Sequence, residues 1–240
     1  MSMNYIITDE PKRLEYLISR KLGFEIIKLE NAVLDIEELK NRIENSTILL
    51  RIYSPYKLIP ISIICEKYAK KVINSSKLII TSLIRELLYR ELEKNNIQTP
   101  RRLYIFDLCN VSDIANKIGK TNMLLTFTKT DIEGVVETAQ ALVSLIEHRY
   151  YMSAEDVKVN LVIPNIEDIK NILVVGKEPS IDIDMVRKVV DILGEGIYTI
   201  TVGKQDGREV VLYIDPVPSI ENDEDIEKVL EYLKNILKLN

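Results

Sequence analysis

The sequence predicts an α/β lead domain with a parallel sheet, followed by α+β lobes with antiparallel sheets. Three observations carry this prediction. Strand and helix periods alternate with short loops over the first hundred residues, and strands predominate from about residue 101. A hairpin signal, "KQDG" (Lys204 to Gly207), separates two of the late strands.

Taken in order, "NYIIT" reads as a strand, "PKRLEYLISRKLG" as a helix stopped by Gly23, "FEIIKL" as a strand, "DIEELKNRI" as a helix and "TILLRI" as a strand. Ser54 then caps a helix with Pro55 at its first position, and Pro60 further in is expected to kink or delay it. A short strand closes on Asn74. The stretch "SSKLIITSLIRELLYRELEKNNIQTP" follows, read as one long helical segment with Arg85 part-way along and Thr99-Pro100 at its end. Beyond it, "RRLYIF", "NMLLTF", "VKVNLVI", "NILVV", "GIYTITV" and "REVVLYI" read as strands. Helices are expected near 111–118, 136–149, 182–193 and 222–238. This order points to an antiparallel sheet with helices packed on one face, with no internal repeat and no low-complexity segment.

Composition narrows the function classes. The chain has 240 residues, 46% of them apolar, which is enough for a substantial core. The strongest apolar run, "LIPISII" (Leu58 to Ile64), falls far short of the ~20 residues of a membrane span. The N-terminus lacks the basic-then-apolar order of a secretory signal, so the expected location is cytoplasmic, with no membrane partner. Two cysteines, Cys65 and Cys109, cannot build a disulfide framework and read as buried thiols. The single histidine, His148, ends a helical pattern and reads as a C-terminal cap or an exposed residue, which argues against histidine-based acid–base chemistry. Residues 1–120 hold 20 Lys/Arg against 15 Asp/Glu, whereas residues 121–240 hold 12 against 22. The asymmetry fits either halves with different partners or plainly solvated charge. No aromatic-interleaved basic stripe is present, so no nucleic-acid partner is expected.

An α/β lead domain, then Asn74-Ser75-Ser76, a helical segment carrying one cation, Asn96-Ile97-Gln98-Thr99-Pro100 and an antiparallel sheet form an order that resembles ATP-grasp proteins. The resemblance is to the branch of carboxylate–amine ligases containing the lysine-biosynthesis ligase LysX and the ribosomal-protein modifying ligase RimK. "LLRIYSPYKLIPISIICEKYAKKVINSS" is similar to that branch's run of Arg, Ser, a helix ending in Glu and a small residue, then Val-Ile-Asn-Ser. The match covers the N-terminal domain and linker well and the C-terminal half loosely. It implies a lead domain over 1–75, a linker helix region over 76–100, a small central ATP-grasp-like lobe over 101–150 and a C-terminal ATP-grasp-like lobe over 151–240.

The resemblance places Arg85 where the family has a Lys on nucleotide phosphate; the plain alternative is a solvated helix residue. Arg51 and Ser54, at the C-terminal end of a parallel strand, fall in the region facing the amino-acid substrate and its carrier, with Asn74 beside them. Arg51 is suited to hold a carboxylate through paired bonds, or is simply a structural Arg at a strand end.

Several family positions are replaced. Thr126 stands where a phosphate-binding Lys is expected, Lys129 comes three residues later, and only Gly134 remains of the glycine-rich loop. Without glycines such a loop does not readily adopt the φ > 0 conformations that converge amides on an anion, so it reads as structural. "EHRYYM" is a weak version of the adenine hinge, whereas Asp156 and Lys158 in "DVKV" resemble the family's Asp-Ile-Arg-Val. A segment carrying an Arg, an Asn and a Gly pair near the acyl phosphate has no counterpart. At the metal positions stand Thr199, Tyr213 and Asp215, so one carboxylate survives, and Asp215 before Pro216 is equally a turn former.

The resemblance therefore implies Arg85, Lys129 and Lys158 as nucleotide contacts, Arg51, Ser54 and Asn74 as substrate contacts and Asp215 as a metal ligand, with no catalytic residue assigned. ATP and Mg²⁺ are the implied cofactors, bound weakly or not at all. Implied partners are ATP or ADP, an amino acid or an acidic carrier protein, and a second copy of the chain. Two functions follow: a non-catalytic ATP-grasp homologue serving as a binding or partner protein, or an active ATP-dependent ligase joining an amine to the carboxylate of an amino acid or protein carrier.

Overall fold

Four short strands near the N-terminus form a wholly parallel sheet in the order β2-β1-β3-β4. They are β1 (Asn4–Thr8), β2 (Glu25–Lys28), β3 (Thr47–Arg51) and β4 (Lys71–Ile73). A computed structural model of the chain describes residues 3–29, 35–105, 123–127, 132–136, 140–141, 144 and 160–238. The expected helix near 111–118, most of that near 136–149, and Cys109, Lys129, His148, Asp156 and Lys158 lie outside the described residues; within the second stretch Val136 ends a strand and Gln140, Ala141 and Ser144 are helical.

Each parallel connection runs through a helix whose ends are legible in its residues. Helix α1 (Arg13–Leu22) ends at Gly23, which takes φ 72° and donates its N–H to Ser19 O at 3.0 Å. Helix α2 (Ile36–Ile43) is capped by Asp35, whose carboxylate accepts from the Glu37 and Glu38 amides. Helix α3 (Pro55–Tyr68) starts at Pro55, as expected. Pro60 neither delays nor ends it and sits on its exposed side.

Alternation along the strands sends side chains to two cores, one on each face. Tyr5, Ile7, Ile48 and Leu50 pack with Leu39 and Ile43 of α2 and with Leu58, Ile61 and Cys65 of α3. Ile6, Leu49 and Ile73 pack with Leu14 and Ile18 of α1 and with Ile226, Val229, Leu230 and Leu233 of a C-terminal helix, α7 (Asp223–Lys238). The sheet is therefore covered on both faces, the usual condition for parallel strands.

The long helix expected after Asn74 is two helices. Helix α4 (Ser76–Leu83) stops, Ile84 adopts extended geometry (φ −99°, ψ 95°), and α5 (Arg85–Lys94) begins afresh. Ile79, Ile80, Thr81 and Ile84 are β-branched and weaken the helix there, so the break costs little. Arg85 thus opens a helix instead of lying inside one.

Two later sheets follow. Strands β5 (Leu103–Ile105), β8 (Asn160–Pro164), β6 (Met123–Phe127) and β7 (Ile132–Val136) pair antiparallel in that order. The stretch with the missing glycines thus includes strand β7, with Gly134 inside it. The other sheet has the order β10-β9-β11-β12, comprising β9 (Ile166–Gly176), β10 (Glu178–Pro179), β11 (Gly196–Gln205) and β12 (Arg208–Asp215). Asp206 and Gly207 join β11 to β12 with φ 51° and 77°, the two positive values that a tight hairpin turn requires. Helix α6 (Asp184–Leu193) buries Val186, Val189, Val190 and Leu193, an apolar stripe of helical period.

By contacts the chain forms two units. The first comprises 1–83, 172–200 and 214–240, the second 84–171 and 201–213. No helix among the described residues is long and apolar enough to cross a membrane.

Candidate functional site

In the first unit, the C-terminal edge of the parallel sheet collects several of the singled-out residues. Arg51 ends β3 and is only 2% exposed. Its Nε donates to Glu15 Oε1 at 2.7 Å, and its Nη2 donates to Pro218 O at 2.8 Å and Tyr53 Oη at 3.1 Å. Nη1 is buried and has no hydrogen-bond partner among the described residues. The fork that would grip a carboxylate from two sides is thus largely spent inside the protein.

Glu15, fully buried, also accepts from the Lys12 amide at 2.8 Å and so closes the first turn of α1. Sequence reading missed Glu15. Its signal was available, because it lies three residues before Ile18 on the helix face that the periodicity buries.

Ser54 is half-buried at the N-cap of α3. Its amide and that of Tyr53 each donate to Asp9 at 3.0 Å, tying the loop after β3 to the loop after β1. Its own hydroxyl makes no capping bond. Lys12 lies over the Tyr53 ring, 4.0 Å from its centroid, and burial is the main cause that raises the Tyr53 phenol above its ordinary value.

Asn74 is 2% exposed and held at φ 65°, a conformation Asn tolerates. Its amide nitrogen donates to Ile197 O at 2.7 Å and Pro216 O at 2.6 Å, while its oxygen accepts from Ile197 N at 2.6 Å. Both amide hydrogens are used on the backbone. Asn74 and Arg51 therefore hold alternate carbonyls of the segment after β12, and Val217 between them is buried in the core. Asp215 opens this segment and accepts from Val217 N at 2.8 Å, the local turn that Asp before Pro favours. No cluster of three metal-ligating side chains is found among the described residues.

Arg85 belongs to the second unit. It is 8% exposed, and its guanidinium lies 5.0 Å from the centroid of the Tyr213 ring. Two positions that the resemblance gives to a phosphate-binding cation and a metal-binding carboxylate are thus a stacked cation and aromatic ring. Nearby in the chain, Arg102 makes a two-pronged pair with Glu86, at 2.8 and 3.0 Å, and lies over Tyr89 at 4.5 Å. The hydrogen bond from Arg102 is the main cause holding the Glu86 carboxyl below its usual range, and Tyr104 also donates to it. Tyr89 donates to Leu212 O at 2.7 Å, and burial pushes its phenol up to about 12. Nothing in the sequence singled out Arg102, because its carboxylate partner Glu86 lies 16 residues upstream on α5 and acts only once the fold is made.

No family model matches the sequence, and no curated protein matches it. Solved structures do match over the whole chain. A RimK-domain ATP-grasp protein from Sphaerobacter thermophilus superposes with a TM-score of 0.73 at 16% identity, covering 98% of both chains. The D-alanine–D-alanine ligase of Bacillus anthracis in complex with ATP gives 0.68 at 12% identity, covering 99% of this chain and 98% of the other. The ATP-grasp ligase PsnB with minimal precursor, Mg and ADP gives 0.62 at 11% identity, covering 100% and 99%. The chain has the ATP-grasp fold, including the C-terminal half in which residue motifs match only loosely.

Proposed function

We propose that the chain is a non-catalytic ATP-grasp-fold protein, resembling RimK- and LysX-type carboxylate–amine ligases, that serves as a binding or partner protein. The lobes it would retain are the lead domain over 1–75, the linker region over 76–100, the central lobe over 101–150 and the C-terminal lobe over 151–240. One observation carries this reading: Arg85 is buried against Tyr213, at 5.0 Å, in positions the family resemblance assigns to phosphate and magnesium. A neutral phenol is a poor substitute for a carboxylate toward Mg²⁺, and the neighbouring guanidinium opposes a second cation. Each electrostatic stabiliser lost from a phosphoryl-transfer site costs roughly 10²–10³ in rate, and such losses compound. Asp215 remains the one proposed metal position, and Lys129 and Lys158 the other proposed nucleotide contacts.

Neighbouring structures contain ATP, or Mg and ADP with a precursor. On the present reading, this chain binds nucleotide weakly or not at all. An amino acid or an acidic carrier remains the proposed partner class, with a second copy of the chain as the proposed assembly and the cytoplasm as the proposed location.

Calorimetry with ATP and Mg²⁺ tests the reading. Absent or weak binding is expected; tight binding followed by ADP release on adding an amino acid would establish an active ligase instead. If nucleotide does bind, Arg85→Ala is expected to weaken it, and unchanged affinity removes Arg85 from any phosphate role.

A further inference from the structure

Helix α3 is apolar nearly all the way round. Its inward face gives Leu58, Ile61 and Cys65 to the core, yet Tyr56, Pro60 and Ile63 on its outward face are exposed, Tyr56 to 57% and Ile63 to 50%. A surface helix ordinarily carries polar residues on that side, and an apolar row there marks a contact surface. Within the first unit, α3 packs against both α2 and α4, all three on one face of the parallel sheet. Its outward row therefore lies in the middle of a helical layer.

Two properties of the layer fit a second copy of the chain. The first is pattern. Tyr56, Pro60, Ile63 and Lys67 recur at intervals of four, three and four residues, which sets them in one row along the exposed side. Two such rows packed antiparallel about a two-fold axis bring Pro60 against Ile63 of the second copy, and Tyr56 against Lys67 of the second copy. Apolar then meets apolar at the centre, and a ring meets a cation at both ends. Lys67 already uses this chemistry within one copy, lying 4.9 Å from the centroid of the Tyr68 ring. Parallel packing would set Lys67 beside Lys67, a like-charge contact.

The second property is charge. Helices α2, α3 and α4, with their caps and Lys70 in the loop after α3, carry six Lys or Arg and five Asp or Glu. So nearly neutral a layer has little field to draw a nucleic acid, an anionic membrane or a strongly charged protein, and it does not repel its own copy. At ~1.5 Å per residue and ~10 Å between axes, the three helices offer roughly 450 Å² per copy before side-chain relief is counted, the low end of specific interfaces.

We propose that α3, flanked by α2 and α4, is the two-fold interface of a homodimer with micromolar affinity. The inference rests on the proposed assembly with a second copy and names its surface; nucleotide and metal play no part in it.

The test is sedimentation equilibrium of the full chain, without nucleotide, from about 1 μM to about 500 μM. A monomer–dimer equilibrium is expected. Ile63→Glu, at a position exposed in the single chain, puts a carboxylate into the apolar centre and is expected to weaken the dimer at least about tenfold. Tyr56→Lys sets two cations together and is also expected to weaken it about tenfold, whereas Tyr56→Glu sets a carboxylate against Lys67 and should weaken it no more than about twofold. A chain monomeric throughout the range overturns the interface together with the proposed assembly. A dimer indifferent to Ile63→Glu and Tyr56→Lys overturns the interface and leaves that assembly standing, and equal weakening by Tyr56→Lys and Tyr56→Glu overturns the antiparallel pairing. Because nucleotide is absent throughout, these outcomes leave the test of ATP turnover separate.

Discussion

Replacing Asn74 by Ala removes a side chain that satisfies two buried carbonyls and one buried amide, those of Ile197 and Pro216. A buried polar group left without a partner costs about 1–3 kcal/mol, so three of them with partial relaxation cost about 4 kcal/mol. The backbone adds to this, because Asn74 sits at φ 65° and Ala tolerates that conformation worse by about 1 kcal/mol. Asn74→Ala is therefore expected to lose about 5 kcal/mol and Asn74→Gly about 4 kcal/mol, Gly being free of the backbone penalty. Urea unfolding followed by circular dichroism measures both. Losses below about 1 kcal/mol, or an Ala variant no worse than the Gly variant, would refute the view that this side chain is a structural clamp.

Gly196 is bound to the same clamp: a Cβ there would lie 2.4 Å from Asn74 Oδ1, so Gly196→Ala is expected to cost about 2–3 kcal/mol in urea unfolding. Arg51→Met strands the Glu15 carboxylate in the interior and should cost about 3–5 kcal/mol at neutral pH, whereas Arg51→Met with Glu15→Leu should recover most of that loss. Tyr89 contributes an alkaline dependence. Its folded value of about 12 exceeds the ordinary 10.0, so the unfolded chain releases the proton first and stability falls by about 3 kcal/mol as pH rises from 10 to 12. Tyr89→Phe should lower that slope by one proton without abolishing it, since burial also raises Tyr104, Tyr198 and Tyr232. The variant gives up one hydrogen bond, to Leu212 O, worth about 1 kcal/mol at neutral pH.

What the sequence determined by itself was whatever a window of a few residues encodes. Gly23 and Pro55 mark helix ends through local φ and ψ and act as read, whereas Asp35 caps α2 from just outside it and Ser54 stands at the N-cap of α3 without a capping bond from its hydroxyl. The Asp206-Gly207 hairpin and the apolar stripes of α6 and α7 are legible for the same reason. The break at Ile84 was not, because helical periodicity continues across it and only the β-branched residues before it hinted at weakness. Tertiary structure decided what the polar side chains do. Asn74 meets Ile197 across 123 residues, and Arg51 meets Pro218 across 167. Such pairings depend on which strands lie side by side, and no local preference reports that. A buried polar group must find its partner wherever the topology brings one, so the same Arg reads as a ligand contact in one dimension and as a nearly satisfied strut in three.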